Sequence, residues 1–123
     1  MIRTTMKGLA LAALLGGAGY AETHEVQMLN RGADGEVMVF EPAALQIAPG
    51  DTVKFVATDP GHNAQAIPEM TPEGAQTFKG RINEEIEVTL ETEGVYGVKC
   101  LPHYAMGMVM TIAVGDVDAP DDH

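Results

Sequence analysis

The chain has 123 residues, with 18 acidic side chains against 7 Lys and Arg and a formal net charge of −11. That length holds one ordinary domain and leaves no room for two. The acidic excess argues against nucleic acid or an anionic membrane surface as a partner for the overall field.

In chain order, the first element is an export signal. Arg3 and Lys7 flank a charged start, Leu9 to Gly19 is apolar and rich in small residues, and Gly19-Tyr20-Ala21 has the small residues that signal peptidase reads. The apolar stretch is short for a membrane span. Cleavage is expected after Ala21, giving a signal over 1–21 and an exported product. It removes Arg3 and Lys7 and no acid, so the charge moves from −11 to −13.

The mature part reads mainly with period two. Val53, Phe55 and Ala57 alternate with Thr52, Lys54 and Val56; Ile86, Val88 and Leu90 alternate with Glu85, Glu87, Thr89 and Glu91. Val95 to Cys100 and Met108 to Val114 are more continuously apolar, as in strands touching protein on both faces. Turn signals punctuate these runs at Gly32 to Gly35, Pro49-Gly50-Asp51, Asp59-Pro60-Gly61, Pro72-Glu73-Gly74, Glu93-Gly94 and Gly115-Asp116. Ile67 to Phe78 is the one stretch with room for a helical turn, limited by its prolines. The pattern predicts an all-β fold, a Greek-key β-sandwich of about eight strands over 22–115. An acidic tail follows over 116–123.

Chemistry concentrates near the end, in Val98-Lys99-Cys100-Leu101-Pro102-His103-Tyr104-Ala105-Met106-Gly107-Met108. A solitary cysteine in an exported chain needs protection from mixed disulfides, and metal ligation supplies it. Thiolate, imidazole and a weak thioether accommodate both copper oxidation states, and Gly61-His62-Asn63 offers a second imidazole. Pro102 stiffens the turn between Cys100 and His103 and removes one backbone donor. Structural zinc would take four strong ligands, and no second cysteine or nearby histidine completes such a set. Spacing alone leaves Met106 and Met108 both open as the thioether.

From Glu25 to Gly115 the chain resembles the type 1 blue copper proteins, or cupredoxins, and among them the pseudoazurins. The resemblance rests on Met28-Leu29-Asn30-Arg31-Gly32, Met38-Val39-Phe40-Glu41-Pro42, Pro49-Gly50-Asp51-Thr52-Val53, Gly61-His62-Asn63, Pro72-Glu73-Gly74-Ala75 and Lys99 to Gly107. It implies one type 1 copper ion with His62, Cys100 and His103 as trigonal ligands and Met108 as the weak axial one, which leaves Met106 for the apolar surface around His103. It also implies that Asn63 supports the site, tying two loops together and donating toward the cysteine sulfur.

The same resemblance implies a monomeric carrier of single electrons, not an enzyme. Its partner would be a redox protein such as copper nitrite reductase or a cytochrome, docking around His103, Pro102 and Met106 within a ring of Arg31, Lys79, Arg81 and Lys99. Family members usually carry a helical C-terminal extension, for which this sequence has no counterpart after Gly115. Copper storage or delivery is the alternative, although delivery favours an exposed, exchangeable site. An enzymatic use of Cys100 and His103 lacks an orienting acid and oxyanion donors. Processing after Ala21 would also expose Glu22-Thr23-His24, a sequence able to wrap Cu(II) through its amine, amides and imidazole.

Overall fold

The computed structural model describes residues 21–117. The export signal expected over 1–21 therefore lies outside the described residues apart from Ala21, as does the acidic tail apart from Asp116 and Val117.

Eight strands are present among the described residues: β1 Thr23–Arg31, β2 Val37–Glu41, β3 Ala44–Ile47, β4 Asp51–Val56, β5 Gln65–Ala66, β6 Ile86–Leu90, β7 Gly94–Lys99 and β8 Val109–Val114. They form two four-stranded sheets, ordered β2-β1-β4-β6 and β3-β8-β7-β5. The chain repeatedly switches sheets, so β1 pairs parallel with β4 and β3 pairs parallel with β8 while the other neighbours are antiparallel. The result is the sandwich expected from the alternating runs.

Alternation explains which faces meet. In β4, Asp51, Val53 and Phe55 are buried while Thr52, Lys54 and Val56 are half-buried; in β6 the glutamate and threonine between Ile86, Val88 and Leu90 stay exposed. Val26, Met28, Phe40, Val53, Phe55 and Leu90 from the first sheet face Ile47, Val98, Met110, Ile112 and Val114 from the second. Phe55 anchors this layer, edge-on to Phe40 at 6.2 Å and tilted against Phe78 at 5.8 Å between centroids. Tyr96 is buried and spends its hydroxyl on the Thr92 carbonyl at 2.8 Å, which fixes the corner into β7. At Gly94 the backbone is left-handed, with φ +139°, and a Cβ would stand 2.5 Å from Pro72 Cγ, so only glycine fits.

The stretch from Ile67 to Phe78 holds a single 3-10 turn, Pro68–Met70. Its Met70 lies over Gly97 of β7 and Thr71 caps the turn with a bond to the Ile67 carbonyl. A second 3-10 segment, Leu101–Met106, follows β7 and was not marked by any periodic signal. This segment and the loop after β4 meet at one pole of the sandwich.

Candidate metal centre

Cys100 sits where β7 ends, and its loop is closed by its own backbone. The Cys100 N–H donates to the Met108 carbonyl at 3.1 Å, His103 N–H to the Cys100 carbonyl at 3.2 Å and Met108 N–H to the His103 carbonyl at 3.3 Å. Pro102 sits in the first turn, where a missing N–H costs nothing, and Gly107 ends it in the left-handed region at φ +91°. Immediately beyond Met108, β8 pairs with β7, Val109 lying opposite Lys99. The antiparallel pair thus holds both ends of the ligand-bearing loop at a fixed separation.

His62 arrives from the other direction, between β4 and β5, and is fully buried. Its Nδ1 stands 3.8 Å from Cys100 Sγ, and His103 Nδ1 stands 3.5 Å from the same sulfur. The three donor atoms lie within 4.8 Å of one another, the one such His, Cys and carboxylate group among the described residues. The two rings are 4.8 Å apart and inclined at 57°, so neither stacks on the other. Burial, then the neighbouring His103, pushes the His62 pKa below the ordinary histidine value, partly opposed by Asp59. The neutral imidazole with a free lone pair is the form that binds a metal.

Three asparagines hold the His62 segment. Asn30, at the end of β1, places Oδ1 2.8 Å from His62 Nε2 and accepts the hydrogen bond that the ring N–H donates, which leaves Nδ1 as the lone-pair nitrogen facing sulfur. Asn30 is itself placed by Asp59, whose Oδ2 accepts the Asn30 N–H at 2.8 Å. Asn83 brackets the histidine: its N–H donates to the His62 carbonyl at 2.8 Å and its Oδ1 accepts the Gly61 N–H at 2.7 Å. It does so at φ +69°, a conformation asparagine tolerates better than most residues. Asn63 is buried and accepts the Leu101 N–H at 2.7 Å, tying the His62 segment to the cysteine loop.

The tie expected of Asn63 is therefore present, but its donating end is directed elsewhere. Nδ2 bonds the Gly80 carbonyl and Gln65 Oε1, both at 3.0 Å, so the side-chain amide is spent on the strand-edge loop. Asn30, Asp59 and Asn83 carry no such expectation from sequence. Asn30 lies inside a quoted motif, yet its type is common in turns and gives no sign of a partner 32 residues away.

The donor set fits one copper ion: two imidazole nitrogens and a thiolate converge, the far nitrogen of His62 is already occupied, and Met108 is fully buried at the close of the same loop. His103 is half-buried and is surrounded in sequence by exposed apolar side chains, Leu101 at 50%, Tyr104 at 45% and Met106 at 57%. Lys99 lays its ammonium over the Tyr104 ring at 4.7 Å, and Gln65 pairs with both Lys99 and Lys79. Arg31 turns back to the Gly35 carbonyl at 2.9 Å, and the Arg81 N–H bonds Glu84. His24 lies away from this centre, with Nε2 2.9 Å from Asp51 Oδ2 and residues 23–27 paired along β4. Wrapping Cu(II) in a square plane would require that strand end to come away.

Residues 26–115 match the family model of copper-binding proteins of the plastocyanin/azurin family. A pseudoazurin of Paracoccus pantotrophus is 53% identical over 115 residues, covering 92% of this chain and 77% of that one. A pseudoazurin of Methylorubrum extorquens is 45% identical over 116 residues, covering 94% and 76%. A solved pseudoazurin structure from Sinorhizobium meliloti superposes with a TM-score of 0.76 at 56% identity, over 77% of this chain and 75% of that one. Copper is accordingly the cofactor, and the buried His, Cys and Met cluster is a site of the type 1 kind. The chain belongs to the plastocyanin/azurin family of copper-binding proteins, as a member of its pseudoazurin group.

Proposed function

We propose that this protein carries single electrons in the periplasm, with His62, Cys100, His103 and Met108 as the copper ligands. A periplasmic reductase such as copper nitrite reductase would receive the electron. When bound, copper supplies a one-electron couple. The protein's residues hold its ligands still and exclude water: His62, Cys100 and Met108 are fully buried, and the asparagine bonds fix one imidazole. A site whose ligands move little between oxidation states keeps its reorganisation cost low.

The observation that carries this reading is the contrast between the histidines, since His62 is sealed while His103 is half-buried within an apolar loop. Electrons would leave through the His103 edge, against a partner contacting Pro102 and Met106. Brief redox encounters bury little surface, and a small apolar patch with charged side chains nearby suits rapid release. Arg31, Lys79, Arg81 and Lys99 are the proposed steering charges, and Asn63 the proposed link between the two ligand-bearing segments.

Residues 1–21 would be removed on export, leaving a domain over 22–115 and a tail over 116–123, acting as a monomer. No helix among the described residues is long and apolar enough to cross a membrane. Storage or delivery of copper is supported less well, because the ligands come from separate, buried segments. The test is a reductive titration followed by visible absorption. The purified protein is expected to show an intense thiolate-to-copper band, bleached by one electron, restored on oxidation with copper retained, and abolished in Cys100→Ser. Loss of copper on each reduction would favour delivery.

A further inference from the structure

Asp51 opens β4 and is only 6% exposed, yet it is charged, and its carboxylate is surrounded by donors. The Glu22 nitrogen stands 2.9 Å from Oδ1; His24 Nε2 stands 2.9 Å and the Ala48 N–H 3.1 Å from Oδ2. The Glu22 carbonyl also accepts the Thr52 N–H at 2.9 Å, so both main-chain groups of Glu22 are held against the start of β4. Ala21, immediately before it, is exposed.

We propose that Asp51 is a docking site for the amino terminus that hydrolysis of the Ala21–Glu22 bond creates; this rests on the reading that the export signal is cut there. In that hydrolysis, water adds across the peptide bond, leaving a carboxylate on Ala21 and an amine on Glu22 that takes up a proton. A neutral amide with one hydrogen becomes a cation with three, already placed at 2.9 Å from a poorly solvated carboxylate. The uncut contact already has a charged acceptor; cleavage puts the opposite charge on the donor, so an ion pair forms in a poorly solvated position where screening by salt is weak. Processing thus adds a charge–charge attraction to a hydrogen bond that the uncut chain already makes.

The contact has a structural task. β1 pairs parallel with β4, Thr23 opposite Thr52 through Gln27 opposite Val56. A slip of one residue would turn Val26 and Met28 out of the core. Fixing Glu22 and His24 on Asp51 pins the register at the start of the strand whose other end delivers Asn30 to His62.

The experiment compares copper-loaded protein beginning at Glu22 with a free amine, the same chain acetylated at that amine, and the chain retaining Ala21, each with Asp51 and with Asp51→Asn. In urea, the free-amine chain should have an unfolding equilibrium constant about tenfold smaller than the other two. The gap should close in the Asp51→Asn series, and the visible copper band should be the same throughout. Equal midpoints for the free and acetylated Asp51 chains would overturn the proposal. If Asp51→Asn does not fold, titration of the Glu22 amine by NMR decides: a pKa above the ordinary terminal-amine range supports docking, and an ordinary value overturns it. Mass analysis of exported protein tests the cleavage separately. A different amino-terminal residue there overturns the maturation step, even where the free-amine chain behaves as described; absence of the copper band in every chain would count against the metal reading alone.

Discussion

The two ends of β1 are held by opposite chemistries. At its start, a buried carboxylate gathers the Glu22 nitrogen, the His24 ring and the Ala48 N–H. At its end, about 20 Å away by strand geometry, uncharged Asn30 accepts a hydrogen bond from a buried imidazole and is placed by the half-buried Asp59 carboxylate. The first arrangement draws its strength from charge and therefore answers to pH. The second uses a neutral contact to orient a metal ligand, so the ring's direction does not depend on a charge beside the metal. One strand separates the task of holding the fold from the task of aiming the site.

The largest test of that separation is Asp51→Ala. Removing the carboxylate leaves several donors unpaired in a poorly solvated position, and a loss of about 2–4 kcal/mol in urea unfolding is expected, with the copper band unmoved. A changed spectrum would break the comparison. At the other end, Asn30→Ala should weaken copper retention roughly 10–100-fold, measured by transfer to a chelator, while lowering stability by about 1 kcal/mol. A variant that loses stability but keeps its metal as before would show that Asn30 serves packing alone.

Acid should separate the ends further. Burial pushes the Asp51 pKa up, but the donors from Glu22, His24 and Ala48 outweigh it and hold the carboxyl below its ordinary value. A group depressed in the folded state contributes stability above its unfolded pKa and loses it as pH falls through the folded one. Urea midpoints should thus decline below the ordinary carboxylate pKa of about 3.9, and Asp51→Asn should flatten that part of the profile. The smallest effect is expected for Asn83→Gly, which keeps the left-handed backbone and the bond to the His62 carbonyl but removes the acceptor for Gly61. A stability change within about 1 kcal/mol and a modest rise in copper release should follow, whereas Asn83→Val should do worse by straining the backbone.

The sandwich was legible because β4 and β6 bury alternate residues and because β7 and β8 are continuously apolar. The cysteine, histidines and methionine stood out because such side chains are scarce and chemically distinctive. The asparagines did not. Asn30 reaches His62 only because β1 and β4 pair in parallel, and Asn83 brackets it only because a turn over 81–84 is folded against the same segment. Likewise the His24 contact with Asp51 depends on the strand register, so a local reading left the ring free to bind metal. The turn between Cys100 and His103 is legible from Pro102, whereas its continuation as a 3-10 segment to Met106 is not, since Gly107 rather than apolar spacing ends it.

The backbone closure between Cys100 and Met108 carries an evolutionary consequence. Three of the four proposed ligands travel on a single hairpin tip whose ends are pinned by β7 and β8. Its exposed residues, Leu101, Tyr104 and Met106, lie between two ends, Cys100 and Met108, that belong to the core, so a change among them bears on thiolate, imidazole and thioether together. His62 lies on a different segment and serves as the fixed reference. Such an arrangement makes redox character a heritable cassette, open to variation while the scaffold that folds it stays the same.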